Sequence, residues 1–154
     1  MVPPVRLLRH VIEEEERLHR ENARKQRIQR ACLPQHWVME TFPFEQQPKL
    51  DKKRVLALYD AFDYLPQCRN IIWVGPTGCG KTGLAVSFLV QATNRGYTGR
   101  SIEFPKLVSD LYKSVADHSE QEVIKAFSSY DCLLIDEIGY VEVEPVQVGL
   151  FFTL

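Results

Sequence analysis

A chain of 154 residues is long enough for one domain with a real core and a small appendage. A quarter of the residues are charged and the formal net charge is −1, so no global field singles out nucleic acid or a membrane as the partner. No apolar run approaches the ~18 residues of a membrane span, and Met1-Val2-Pro3-Pro4-Val5-Arg6 leads into no apolar leader segment. Cys32, Cys68, Cys79 and Cys132 form no C-x-x-C pair, so free thiols in a reducing, cytoplasmic setting are expected.

Residues 5–31 predict one long helix. They contain no Gly or Pro and are rich in Arg, Glu, Leu and Gln. Leu7, Leu8, Val11, Ile12 and Leu18 give a partial apolar stripe. Charge is sorted along the helix: Glu13 to Glu16 form an acidic block, then Arg17, Arg20, Arg24 and Arg27 recur on one face. Lys25 and Arg30 widen that patch, and Glu21 is its only acid. One reading is a solvated face with pairs such as Glu13–Arg17 and Glu16–Arg20. The other is a surface that tracks DNA phosphates.

Leu33-Pro34 ends this helix, and residues 35–50 read as irregular, punctuated by Pro43 and Pro48. Phe42 and Phe44 read as anchors onto a neighbouring unit. A boundary near Pro48 would divide a helical region and linker, residues 1–48, from a second unit, residues 49–154. Asp51 predicts an N-cap for a helix to about Tyr64, with Val55, Leu58, Tyr59 and Phe62 on one face against a sheet.

Residues 69–74 predict a strand, and the chain then reads Gly75-Pro76-Thr77-Gly78-Cys79-Gly80-Lys81-Thr82. This is G-x-x-x-x-G-K-T, followed by a helix-length segment to about Asn94. Glycines let backbone N–H groups close around a phosphate at a helix N-terminus. Lys81 can reach the β- and γ-phosphates of ATP, and the Thr82 hydroxyl can ligate Mg²⁺.

Arg95-Gly96 stops that helix, and residues 100–104 predict a second strand. Pro105 opens a helix to about Ala116, with Leu107, Val108, Leu111, Tyr112 and Val115 inward. Ser119 to Glu122 reads as a capping box for a helix through Phe127. Residues 131–137 predict a strand that delivers Asp136 and Glu137 to its C-terminal edge. Strands alternating with helices predict an α/β fold with a parallel sheet covered on both faces. Ligands of such sheets bind at the C-terminal edge. There Asp136 would hold Mg²⁺, and Glu137 would orient and deprotonate the attacking water. Asp136-Glu137-Ile138-Gly139 also fits D-x-x-G of GTPases, but no N-K-x-D segment follows.

With these segments in view, the chain resembles the IstB-like ATP-binding proteins, helper ATPases of bacterial DNA transposition. These are related to DnaC-type helicase loaders in the AAA+ class of P-loop NTPases. The resemblance rests on Phe42-Pro43-Phe44, Gln47-Pro48-Lys49-Leu50-Asp51, Gly75 to Thr82, Arg95-Gly96-Tyr97, Leu133 to Tyr140 and Gly149-Leu150-Phe151-Phe152. It implies a protein that binds ATP and DNA, self-assembles and serves a transposase. Lys81, Thr82, Asp136 and Glu137 carry over by motif; Arg17, Arg20, Arg24, Lys25, Arg27 and Arg30 carry over only by charge.

The resemblance also implies a C-terminally truncated AAA+-type sheet. Family members continue past the point matching Leu154 with further strands, a sensor residue and an arginine finger. One of those strands lies between the phosphate-loop strand and the Asp-Glu strand. Without it, the two are expected to expose unpaired edges or to pair directly. Residues 1–154 alone are expected to bind Mg-ATP weakly and to hydrolyse it negligibly. Two other readings remain open: a loader for a replicative helicase, and a non-catalytic remnant whose N-terminal helix docks DNA or protein. A small-molecule kinase lacks an acceptor or lid motif.

Overall fold

A computed structural model describes residues 4–139, Val143 and residues 145–154. Helix α1 spans Pro4–Arg30. Cys32 then takes a left-handed backbone, with φ of 49°, and Pro34 lies just beyond. Two short 3₁₀ turns, Met39–Thr41 and Phe44–Gln46, carry the linker. Helix α2, Lys52–Ala61, opens on Asp51, whose carboxylate accepts the Arg54 N–H at 3.1 Å, as its sequence predicts. It stops three residues early because Phe62 is left-handed.

Helix α3, Lys81–Asn94, is the centre of the molecule. Ten of its fourteen residues are buried, so apolar side chains surround it on all sides. Its buried polar groups are bonded: Ser87 Oγ donates to the Gly83 carbonyl, and Thr93 Oγ1 donates to that of Val90. Val55 and Tyr59 of α2 pack on the α3 side chains Leu84 and Phe88, rather than on the sheet.

Strand β1, Gly99–Glu103, and strand β2, Cys132–Asp136, pair in parallel with Gly99 opposite Cys132 and Glu103 opposite Asp136. Asp131 pins the start of this pair, accepting from both the N–H and the hydroxyl of Thr98 at 2.7 Å. Those bonds hold its carboxyl below the usual aspartate range. Helix α4, Phe104–Asp117, helix α5, Glu120–Ser128, and helix α6, Pro145–Phe152, close over Ile102 and Ile135. The end of α1 covers the outer edge of β1, where the Ser101 N–H donates to the Ala31 carbonyl at 2.7 Å.

Three local expectations need correction. Tyr112 is exposed, because Leu107, Val108 and Leu111 already fill the inward face of α4. Ser119 makes no side-chain cap; its carbonyl, not its hydroxyl, receives the Glu122 N–H. Residues 69–74 form no strand of the sheet. The alternation is nonetheless present: Ile71 and Trp73 pack on the core beside Phe88, while Ile72 and Val74 are 82% and 90% exposed. A strand needs a neighbour to bond, and among the described residues β2 is bonded to β1 alone, so the segment stays unpaired instead of pairing directly with β2.

That edge carries a prediction. Changing Ile72 and Val74 together to lysine should alter folding stability by no more than about 0.5 kcal/mol and should reduce light scattering in concentrated samples. A large fall in the urea midpoint would mean that these side chains are covered after all.

Candidate nucleotide site

The phosphate loop sits between the unpaired segment and α3. Gly80 is the N-cap of α3 with φ of +80°, which glycine adopts at little cost. A Cβ there would also lie 2.8 Å from the ring of Phe42, and one at Gly75 would lie 2.9 Å from the Cys79 sulfur. The loop is thus braced from the linker. Gln47 Nε2 reaches the Gly78 carbonyl at 3.4 Å, and Phe44 stacks edge-on with Phe42 at 4.8 Å. The anchor reading of Phe42 and Phe44 fits this packing. Gln47 has no role legible in sequence, since its partner is a backbone carbonyl 31 positions away.

Lys81 stands at the first position of α3 and turns back into the loop. Its ammonium donates to the carbonyls of Gly75 and Pro76 at 2.9 and 2.8 Å, and lies 3.8 Å from the Cys79 sulfur. The next residue points across to β2: Thr82 Oγ1 donates to Asp136 Oδ2 at 2.6 Å. Asp136 Oδ1 accepts the Glu137 N–H at 2.9 Å. Glu137 itself holds a left-handed backbone with φ of 60°, a conformation that costs a non-glycine residue of order 1 kcal/mol or more. The sheet register and the start of α3 therefore bring Lys81, Thr82, Asp136 and Glu137 to one rim, although Thr82 and Asp136 are 54 positions apart.

An anion would meet the N-terminus of α3 and a lysine there. A hard cation would meet a hydroxyl and a carboxylate already in contact, a donor set of the oxygen type such ions prefer. Among the described residues no cluster of three or more His, Cys, Asp or Glu side chains gathers for a metal, so a cation here would depend on phosphate oxygens for its remaining ligands. Cys132, the first residue of β2, has its thiol pushed up to about 11 by burial.

The basic residues of α1 do not form one free face. Arg17 pairs with Glu14 and Glu21, not with Glu13; Arg20 pairs with Glu16 as the spacing predicts, and Lys25 pairs with Glu21. Arg24 and Arg27 instead reach the end of α3. Arg30 is exposed, and its carbonyl accepts from Arg100 at 3.3 Å. Tyr140, part of the segment used in the resemblance, lies outside the described residues.

A glycine loop at a helix N-terminus, facing a strand-end aspartate, defines a P-loop nucleoside-triphosphate-binding domain. The chain belongs to the family of IstB-like ATP binding proteins, whose model matches residues 4–154. It is 31% identical to the ATP-binding protein of insertion sequence IS232 from Bacillus thuringiensis subsp. berliner, over 82% of this chain and 50% of that protein. It is 32% identical to the counterpart of IS5376 from Geobacillus stearothermophilus, over 81% of this chain and 49% of that one. The counterpart of IS21 from Pseudomonas aeruginosa is 31% identical over 83% of this chain and 48% of its own length. The chain thus spans about half the length of these relatives. Among the described residues no helix is long and apolar enough to cross a membrane.

Proposed function

We propose that this chain carries the ATP-binding unit of a helper protein in DNA transposition. The observation that supports this most is the 2.6 Å contact between Thr82 and Asp136 at the rim that also holds Lys81. In this reading Gly75, Pro76, Thr77, Gly78, Cys79 and Gly80 wrap the phosphates, and Lys81 exchanges its loop carbonyls for phosphate oxygens. Thr82 and Asp136 hold Mg²⁺, which when bound neutralises phosphate charge. Glu137 orients and deprotonates the hydrolytic water. Residues 1–48 form the linker and helical region, and residues 49–154 the nucleotide unit. The arginines of α1 meet DNA phosphates, and the partner is a transposase. Self-assembly belongs to this reading as well. A helicase loader would share the site and differ in its partner, so capture by purified transposase against replicative helicase separates the two.

The cation reading makes a specific prediction. Adding Mg²⁺ should tighten binding of a fluorescent ATP analogue to the wild-type chain. Asp136→Asn should remove most of that gain and leave metal-free binding within about 3-fold, because one charge-assisted ligand is lost. An unchanged Mg²⁺ effect in Asp136→Asn would remove Asp136 from the cation site.

A further inference from the structure

The tertiary structure sorts the basic residues of α1 in a way their spacing does not. A notch of about 510 Å³ lies between α1 and the C-terminal end of α3. His19, Arg20, Arg24 and Arg27 line it from one side and Asn94 and Arg95 from the other, with Glu21 the one acid among the described lining residues. Arg95 comes from a segment far along the chain, so the charge in the notch exceeds what either element supplies alone.

The guanidinium groups are held in place by contacts that leave donors spare. Arg24 is anchored through Nε to the Asn94 side chain at 2.7 Å, and Arg27 through Nε to the Thr93 carbonyl at 3.0 Å. Anchoring through Nε leaves the two terminal amino groups of each arginine uncommitted. Arg95 lies with its guanidinium 3.9 Å from the centroid of the Phe62 ring. Stacking engages the face of the group and leaves its N–H edge available. Glu21, the acid in the lining, is already paired with Arg17 and Lys25, and Arg20 is paired with Glu16 outside it. Fixed guanidinium forks lose little freedom when they bind, and they match the oxygens of a phosphodiester. A single phosphate would use only part of this array, whereas a strand of regularly spaced phosphates can engage arginines on both walls.

We propose that this notch is a binding site for the phosphodiester backbone of a nucleic acid, and that Arg95 is one of its contact residues. The proposal rests on the nucleic-acid reading above and adds to it a location and a residue outside α1.

The test measures binding of the full chain to a labelled duplex DNA of random sequence at a series of salt concentrations. Arg95→Gln is compared with Arg95→Lys, since both keep a long side chain over Phe62 and only one keeps the charge. Arg95→Gln should weaken binding about 3- to 10-fold and lower the slope of log affinity against log salt by about one. Arg95→Lys should restore the slope, and Lys106→Ala, at an exposed ion pair with Asp110 on α4, should change affinity by less than about 2-fold. Wild-type slope and affinity in Arg95→Gln, with duplex binding otherwise intact, would overturn the assignment of Arg95 and of the notch. A wild-type chain that fails to bind duplex DNA at low salt would overturn the nucleic-acid reading itself, and the notch proposal with it. Equal dependence on Arg95 for binding to anionic phosphatidylserine vesicles would show a general anion surface and overturn the assignment to nucleic acid.

Discussion

Lys81→Ala is expected to weaken ATP binding by roughly 10- to 150-fold while leaving the fold in place. The loss corresponds to about 1.5–3 kcal/mol, the usual value of a hydrogen bond to a charged group. The ammonium already points into the phosphate loop, where it is held by the carbonyls of Gly75 and Pro76 at 2.9 and 2.8 Å. Those bonds are exposed, so their removal should shift stability by only about 0.5 kcal/mol. Titration with a fluorescent ATP analogue, alongside urea unfolding, separates the two effects. Lys106→Ala serves as a control, because Lys106 pairs with Asp110 at 3.2 Å on the exposed surface of α4. Equal affinity in Lys81→Ala and the wild type would place the nucleotide elsewhere.

Phe88→Ala should be the most damaging single truncation of the core. Its ring is buried on α3 and contacts Tyr59, Tyr64 and Trp73 at centroid distances of 5.2, 5.4 and 5.4 Å. It therefore joins α2, the turn after α2 and the segment that feeds the phosphate loop. Removing a buried phenyl ring costs about 3–5 kcal/mol, a large part of an ordinary domain's 5–15 kcal/mol. The Tyr64 hydroxyl donates to the Phe88 carbonyl at 3.1 Å, and burial raises its pKa, so Tyr64 stays neutral and keeps this bond across the working pH range. The measurement is the urea midpoint, with Phe152→Ala, 79% exposed, as the reference that should not move. A loss below about 1 kcal/mol in Phe88→Ala would mean the cluster repacks around the gap. Because Trp73 is two residues from Gly75, the same variant should also loosen ATP binding.

Much of the site could be read without coordinates, for local reasons. The glycine loop, its lysine and its threonine are fixed by spacing within eight residues. Their chemistry requires those residue types in that order. The two carboxylates follow from an apolar run that ends in acids. The helices were legible because each needs only its own backbone, a clean stretch without breakers and a stop signal: Leu33-Pro34 after α1, and Arg95-Gly96 after α3. The parallel relation of β1 and β2 followed from the helices between them.

Pairing and neighbours are where sequence reasoning reached its limit. Residues 69–74 show the two-residue alternation of a strand, yet alternation records which side chains face the core, not whether a backbone partner exists. Ser119 and Glu122 have capping-box spacing, but the cap depends on a hydroxyl direction that the surroundings decide. Tyr112 lies on the predicted apolar face of α4, yet three smaller neighbours fill the space first.

The sequence by itself determined a loop that can cradle phosphate, a strand that ends in two acids and a long helix rich in arginine, because each depends on contacts a few residues apart. Only the tertiary structure decided that Thr82 meets Asp136, that Phe42 braces Gly80, and that Arg24, Arg27 and Arg95 share one notch. These contacts join segments tens of residues apart, and they form only once α3 is buried and the elements around it are packed in place.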